Sequence, residues 1–172
     1  MEINQEQAQY LSFHIAGEEY AIGILRVKEI IVYGTVTKVP ATPAHVRGVI
    51  NLRGSVVPVI DLAVKMGLAE SPVTKLSCIV IVEIALEGEA AVMGVMADSV
   101  SQVIELSPAD IEPTPAFGTR IRVDFLQGMA KADRKFILLL DIDQVLTSED
   151  LIAVAQSAEI STEHTEMESA IG

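Results

Sequence analysis

Residues 47–62 read RGVINLRGSVVPVIDL, and two arginine–glycine pairs, Arg47-Gly48 and Arg53-Gly54, stand inside otherwise strand-like apolar sequence. A guanidinium is a rigid fork of donors that grips a carboxylate or exposed carbonyls and keeps its charge. It is equipped to bind rather than to react. Asn51 suits the first position of a type I turn, and Gly54 the left-handed position that closes the loop. Arg53 has no such duty. From spacing alone it is either an ordinary solvated loop-tip arginine or one kept for a partner.

Residue types that carry covalent or metal chemistry are scattered. His14 alternates outward on a strand pattern, His45 sits in TPAH, and His164 lies in the polar end of the chain. They are far apart and no Cys stands near any of them, so neither zinc-ligand spacing nor a nucleophile–base pairing is visible. No glycine loop has Walker or Rossmann spacing. Asp61 and Asp141 occupy matching positions in the internal repeat described below, which favours a turn or strand-end role over catalysis. Met93, Met96 and Met129 read as gap-filling core, and Cys78 as an inert buried thiol. The expectation is no enzyme, no cofactor and no metal.

The 172 residues carry a net charge of −12 and are 50% hydrophobic. Such acidity repels phosphate backbones and anionic membrane surfaces, so neither nucleic acid nor direct membrane insertion is expected. With no Trp, the core must be built from Val, Ile, Leu, Met and Ala. The single Cys78 precludes a disulfide framework within the chain,. The opening MEINQEQAQ lacks the basic and apolar segments of a secretory signal. The runs CIVIV and FILLL are far short of the ~20 residues of a membrane helix. A cytoplasmic location is expected.

The elements that must position these residues come from a weak internal repeat. Gly17 to Gly23 is six positions, as is Gly88 to Gly94; Gly48 to Asp61 is 13, as is Gly128 to Asp141. TPA to the next glycine is six positions from Thr42 but 14 from Thr114, so the second copy carries extra residues near FGTRIRVD,. YLSFHI alternates as a half-buried strand, while SCIVIV, VVPVI and FILLL read as strands buried on both faces. Pro58 predicts an edge strand or a bulge. Thr42-Pro43 and Ser107-Pro108 predict single helical turns, and TSEDLIAVAQ a capped helix from Thr147 or Ser148. Residues 157–172 are expected to form a polar flexible tail. Two like-spaced strand sets predict two small barrels, with core repeats at 17–66 and 88–146 inside one domain, 1–156. Each is marginal alone and would gain stability by packing on the other.

GEEYAIGILRVKEI, followed by VTKVPATPAHVRGVINLRGSVVPVIDL, closely resembles the CheW family of bacterial chemotaxis coupling proteins, over roughly Tyr10 to Leu151. The resemblance implies a mainly β fold: two five-stranded SH3-like β-barrel subdomains on a shared hydrophobic interface, with a C-terminal helix. It implies a non-enzymatic adaptor that couples the cytoplasmic tips of chemoreceptors to the regulatory domain of the histidine kinase CheA, recruited to membrane-associated receptor arrays. Carried onto matching positions, receptor contacts fall on Ile24, Val27, Glu29, Gly48, Arg53, Gly54, Gly94, Val100 and Val103, in a groove between the barrels. Kinase contacts fall near Ile30 to Thr37 and on Glu112 to Arg120, with Phe117 as anchor. Glu112 stands where some family members carry a basic residue. A paralogous adaptor of a non-flagellar array shares the same features. A β-barrel ligand carrier or enzyme would need a set of convergent polar groups that the sequence lacks.

Overall fold

A computed structural model describes residues 7–86, 88–113, 125–132 and 134–146. The expected helix from Thr147, the tail 157–172, and Phe117 and Arg120 lie outside the described residues.

The strands are β1 (Ala8–Ile15), β2 (Glu18–Gly23), β3 (Val27–Val32), β4 (Val46–Leu52), β5 (Ser55–Asp61), β6 (Cys78–Leu86), β7 (Glu89–Ala97), β8 (Ser99–Leu106), β9 (Ile111–Glu112), β10 (Leu126–Ala132) and β11 (Lys135–Leu140). Short helices α1 (Leu62–Lys65) and α2 (Ile142–Val145) follow β5 and β11, with Asp61 and Asp141 at their N-terminal positions, where only the Asp61 side chain caps its helix, accepting the Ala63 N–H. That matches the strand-end role expected of both aspartates. Ser107-Pro108 opens a single 3-10 turn with a capping box, as expected,. Thr42-Pro43 forms only a turn, held by the Thr42 hydroxyl on the Val39 carbonyl at 2.8 Å.

The strands make two sheets, in the orders β3-β6-β7-β5-β4 and β8-β1-β2-β11-β10-β9. In the first, the chain leaving β3 returns to the far edge, where Thr37 bridges Val49 of β4. In the second, β8 bends through Pro108–Asp110 into β9, which pairs with β10. With β8 and β9 counted as one bent strand, each sheet is thereby closed into a five-stranded barrel, which removes its free edges,. The barrels are not the sequence copies. The first barrel takes its β6–β7 hairpin from the second half of the chain, and the second barrel takes β1–β2 from the first half. Parallel pairing of β5 with β7 and of β11 with β2 locks each exchanged hairpin in place.

Strand alternation divides the core. Val80, Val82, Met93 and Val95 face a large cluster between the barrels with Phe13, Tyr20, Ile60 and Leu140. Ile79, Ile81 and Met96 point the other way, into the first barrel, with Val57 and Val59. Leu139 and Ile137 fill the second. Strands buried on both faces read as continuous apolar runs for this reason. β1 departs from its predicted pattern: Ser12 is as buried as its neighbours, because its second face lines a barrel instead of solvent. Pro58 lies in neither an edge strand nor a bulge. β5 is internal, and Pro58 precedes Val59, where pairing with β7 begins. Among the described residues no helix is long and apolar enough to cross a membrane.

Candidate partner-binding site

The β4–β5 hairpin closes in two residues, with Leu52 opposite Ser55. Arg53 has φ 52 and Gly54 φ 90. Both central residues are left-handed, as a type I′ turn requires and a type I turn does not. The Asn51 carboxamide oxygen accepts the Gly54 N–H at 2.8 Å and fixes the turn. An arginine here is disfavoured, because its Cβ crowds the backbone in this region while glycine or asparagine is tolerated.

The turn swings the guanidinium across to β3, where it makes a bidentate ion pair with Glu29, one arm at 3.3 Å. This hydrogen bonding holds the Glu29 carboxyl below its ordinary pKa and raises that of Arg53,. The pair forms the lip of an open recess of ≈ 580 Å³ at one end of the first barrel, floored by Val57, Ile81 and Val92, with Val56 exposed beside it. Arg53 and Glu29 come from the first sequence copy, and Ile81 and Val92 from the second. The lip therefore stands on a seam between copies, although not on the interface between barrels.

The other predicted residues are dispersed. Ile24, Val27 and Val100 pack, partly buried, against the cluster between the barrels. Val103 is 51% exposed on β8, and no residue of β8 lines the recess under Arg53. Gly48 and Gly94 are buried in the wall of the first barrel. A Cβ on Gly48, at φ +145, would lie 2.2 Å from the Thr37 carbonyl oxygen, and one on Gly94 would lie 2.7 Å from Ile79 Cγ2. Both glycines have structural reasons to be there. Of the residues expected to meet the kinase, Ile30, Thr37 and Glu112 are exposed.

Equivalent positions in the second barrel lie 80 residues on in the β4–β5 unit: Gly128 and Asp141 for Gly48 and Asp61. Thr37 beside Gly48 is matched by Glu112, whose carbonyl oxygen would lie 2.8 Å from a Cβ on Gly128. Bulges recur in register, at Val27/Glu29 and Val46/Gly48 in one barrel and at Ser12/Phe13 and Leu126/Gly128 in the other. Across the exchanged hairpins, Val59 faces Gly94 while Leu139 faces Ala21. Gly94 therefore corresponds to Ala21, not to Gly23 as equal glycine spacing suggests. The β6–β7 hairpin is longer at its tip, and this shifts the match.

The equivalence exposes an asymmetry. Where the first barrel has Glu29 to pair with Arg53, the second has the uncharged Gln102, which cannot form that ion pair. Where Val92 floors the recess, Glu19 fills the matching barrel end, 7% exposed, 3.6 Å from Lys135 and 3.9 Å from His14. One end is open and apolar, lipped by the Arg53–Glu29 ion pair; the other is filled by Glu19 among charged neighbours.

Sequence reasoning missed Arg47. It is the bulged residue of β4, its Nε 3.4 Å from the fully buried carboxylate of Asp61, its other arms on Glu70 and the Ser71 carbonyl, its plane 5.9 Å from the Tyr33 ring. Asp61 also accepts the Ala63 N–H at 3.1 Å and the Ser71 N–H at 3.0 Å. The thirteen-position match of Asp61 with Asp141 hinted at the carboxylate, but nothing local pointed to its cation.

The family profile described as CheW-like domain matches residues 9–150. The chain is 37% identical over 146 residues to Chemotaxis protein CheW of Klebsiella aerogenes, covering 85% of this chain and 86% of that protein. It is 30% identical to Chemotaxis protein CheW of Rhizobium meliloti, over 83% of this chain and 89% of the relative. The crystal structure of scaffolding protein TtCheW from Thermoanaerobacter tengcongensis superposes with a TM-score of 0.73 at 34% identity, over 84% of this chain and 92% of that one.

Proposed function

The chain belongs to the CheW-like family, and on that premise we propose that it is a non-enzymatic scaffold coupling the cytoplasmic tips of chemoreceptors to a CheA-type histidine kinase. It acts in the cytoplasm, recruited to membrane-associated receptor arrays. The observation that carries the receptor half is the asymmetry between barrel ends. Duplicated folds keep what folding needs in both copies. The Arg53–Glu29 lip and its apolar recess occur in one, and the other reaches the same barrel without them. An exposed, backbone-disfavoured arginine over an apolar floor suits a helical hairpin that offers apolar side chains and a carboxylate or free carbonyls. Gly54 lets that helix approach the turn closely.

The kinase half rests on exposed positions that the duplication leaves at barrel edges: Ile30 and Thr37 in the first barrel and Glu112 in the second. Phe117 is the aromatic anchor expected beside Glu112, since buried aromatics dominate such contacts. Co-purification of the tagged chain from its native cell tests the whole reading. A CheA-type kinase and a chemoreceptor in one complex are expected. Recovery of neither, under conditions that preserve receptor arrays, contradicts it.

A further inference from the structure

Each barrel has a strand that outruns its neighbour, and the two barrels satisfy the exposed edge differently. β3 pairs with β6 as far as Val27 opposite Val82, while β6 runs on to Leu86. Beyond that point the Glu83 carbonyl and the Ala85 N–H need other partners. Arg26, in the crossover between β2 and β3, donates one Nη to the Glu83 carbonyl at 3.2 Å and to Asp143 Oδ1 at 2.9 Å, and its other Nη to Asp143 Oδ2. Asp143 Oδ1 also accepts the Ala85 N–H at 3.2 Å. Asp143 belongs to α2, so this clamp reaches the first barrel from the second. In the second barrel the matching groups are the His14 carbonyl and the Ala16 N–H of β1 and its turn, since His14 faces Glu19 as Glu83 faces Val92. There Asp98, in the crossover between β7 and β8, serves both: its N–H donates to the His14 carbonyl at 2.9 Å, and its Oδ2 accepts the Ala16 N–H at 2.9 Å. The position that matches Asp143 is Ala63, which has no side-chain acceptor to lend.

The strand held in this way carries the recess under Arg53. Glu83, Ile84 and Ala85 pair with Val92, Ala91 and Ala90, all three of which line it. The Glu83 carboxylate holds Lys28, another lining residue, at 3.2 Å. We propose, resting on the receptor reading above, that Arg26 and Asp143 are positioning residues for the receptor recess: from the second barrel they fix the β6–β7 hairpin against β3 and so set the floor beneath the Arg53–Glu29 lip. A two-armed guanidinium–carboxylate contact admits one geometry, so the place of α2 dictates the place of the hairpin. Folding requires only that the edge groups be paired, and Asp98 does that without help from the other barrel,. The filled barrel end is held from its own crossover. The open end, where a partner docks, is held across the barrel boundary.

Calorimetric binding of a chemoreceptor-tip helical hairpin, and of the regulatory domain of a CheA-type kinase, tests this in the full chain. Asp143→Ala and Arg26→Ala should each weaken the receptor complex at least ~5-fold and leave the kinase complex unchanged, and the double variant should lose no more than the worse single one, because the two act as a unit. Arg26→Lys keeps the charge and loses the fork; it should show the same split at smaller size, and it serves where an alanine variant does not fold. Amide NMR reads the floor itself. In Asp143→Ala the Ala85 amide should exchange at least ~10-fold faster and the resonances of Ala90, Ala91 and Val92 should move. Unmoved resonances overturn the proposal. Unchanged receptor affinity in the clamp variants, with Arg53→Glu still weakened, overturns it and leaves the receptor reading standing. Receptor and kinase binding that fall together also overturn it, since a merely structural pair would give that. If Arg53→Glu binds the receptor hairpin normally as well, the receptor reading fails and the proposal with it.

Discussion

Arg53 and Glu29 meet across 24 residues of sequence, and their pairing has a measurable signature. The Arg53 hydrogen bond lowers the Glu29 pKa, so the folded chain binds that proton less tightly than the unfolded one,. The pair's contribution is therefore present above the ordinary carboxylate range and fades as pH falls through the lowered value. Titration of the Glu29 side-chain carboxyl by NMR should give a midpoint below that of an ordinary glutamate, and Arg53→Ala should restore it. An unchanged midpoint in the variant would mean that the pair does not persist in solution. Tyr20 makes the opposite case. Burial, with help from Glu18, pushes its phenol up to about 12, and its hydroxyl is buried with no hydrogen-bond partner among the described residues. A raised phenol pKa favours the fold fully below the unfolded value near 10, and the advantage is lost as pH rises toward 12. Tyr20→Phe should cost nothing or stabilise by ~1 kcal/mol in urea denaturation at neutral pH, and should blunt the loss of stability in base. A clear loss at neutral pH would reveal a partner for that hydroxyl.

At the scale of elements, much was legible in local chemistry. The hairpin at Gly17, the turn at Ser107-Pro108 and the strands SCIVIV and FILLL form as read, except that Phe136 at the start of FILLL is exposed. The turn at Arg53 was legible as a turn but not as its type. A left-handed arginine contradicts residue preference and is held by a carboxylate on another strand. Pro58 misled for a related reason: a strand's place in a sheet is set by distant partners. Gly48 and Gly128 now carry a graded expectation. Gly48→Ala combines a left-handed φ with a Cβ 2.2 Å from a backbone oxygen, while Gly128→Ala meets a milder 2.8 Å contact. The first should lose on the order of 3 kcal/mol or more, or fail to fold, and the second distinctly less. Chemical denaturation of the two variants checks the order; equal losses would show that the strand crossing at Thr37 relaxes freely.

Over the whole molecule, the repeat was visible in glycine and aspartate spacing, and the family resemblance anticipated paired barrels. The hairpin exchange was not visible, because which hairpin joins which sheet depends on parallel pairings between strands far apart in sequence. That exchange makes the barrels interdependent. Cutting between the copies leaves each barrel without two of its five strands. Calorimetry should therefore show one transition whose van't Hoff and calorimetric enthalpies agree, and a chain ending at residue 77 should not fold. Two separable transitions would mean that the barrels are independent units.

The lip on the open barrel end is the feature on which the functional account turns, and a pair of charge reversals probes it most directly. Binding of a chemoreceptor-tip helical hairpin would be measured by calorimetry for Arg53→Glu and, on the matching turn of the other barrel, for Arg134→Glu. The account predicts at least a ~10-fold weaker receptor complex for Arg53→Glu alone, with the fold retained and kinase binding unchanged. Equal affinity for the two variants, at the level of the unaltered chain, would contradict it.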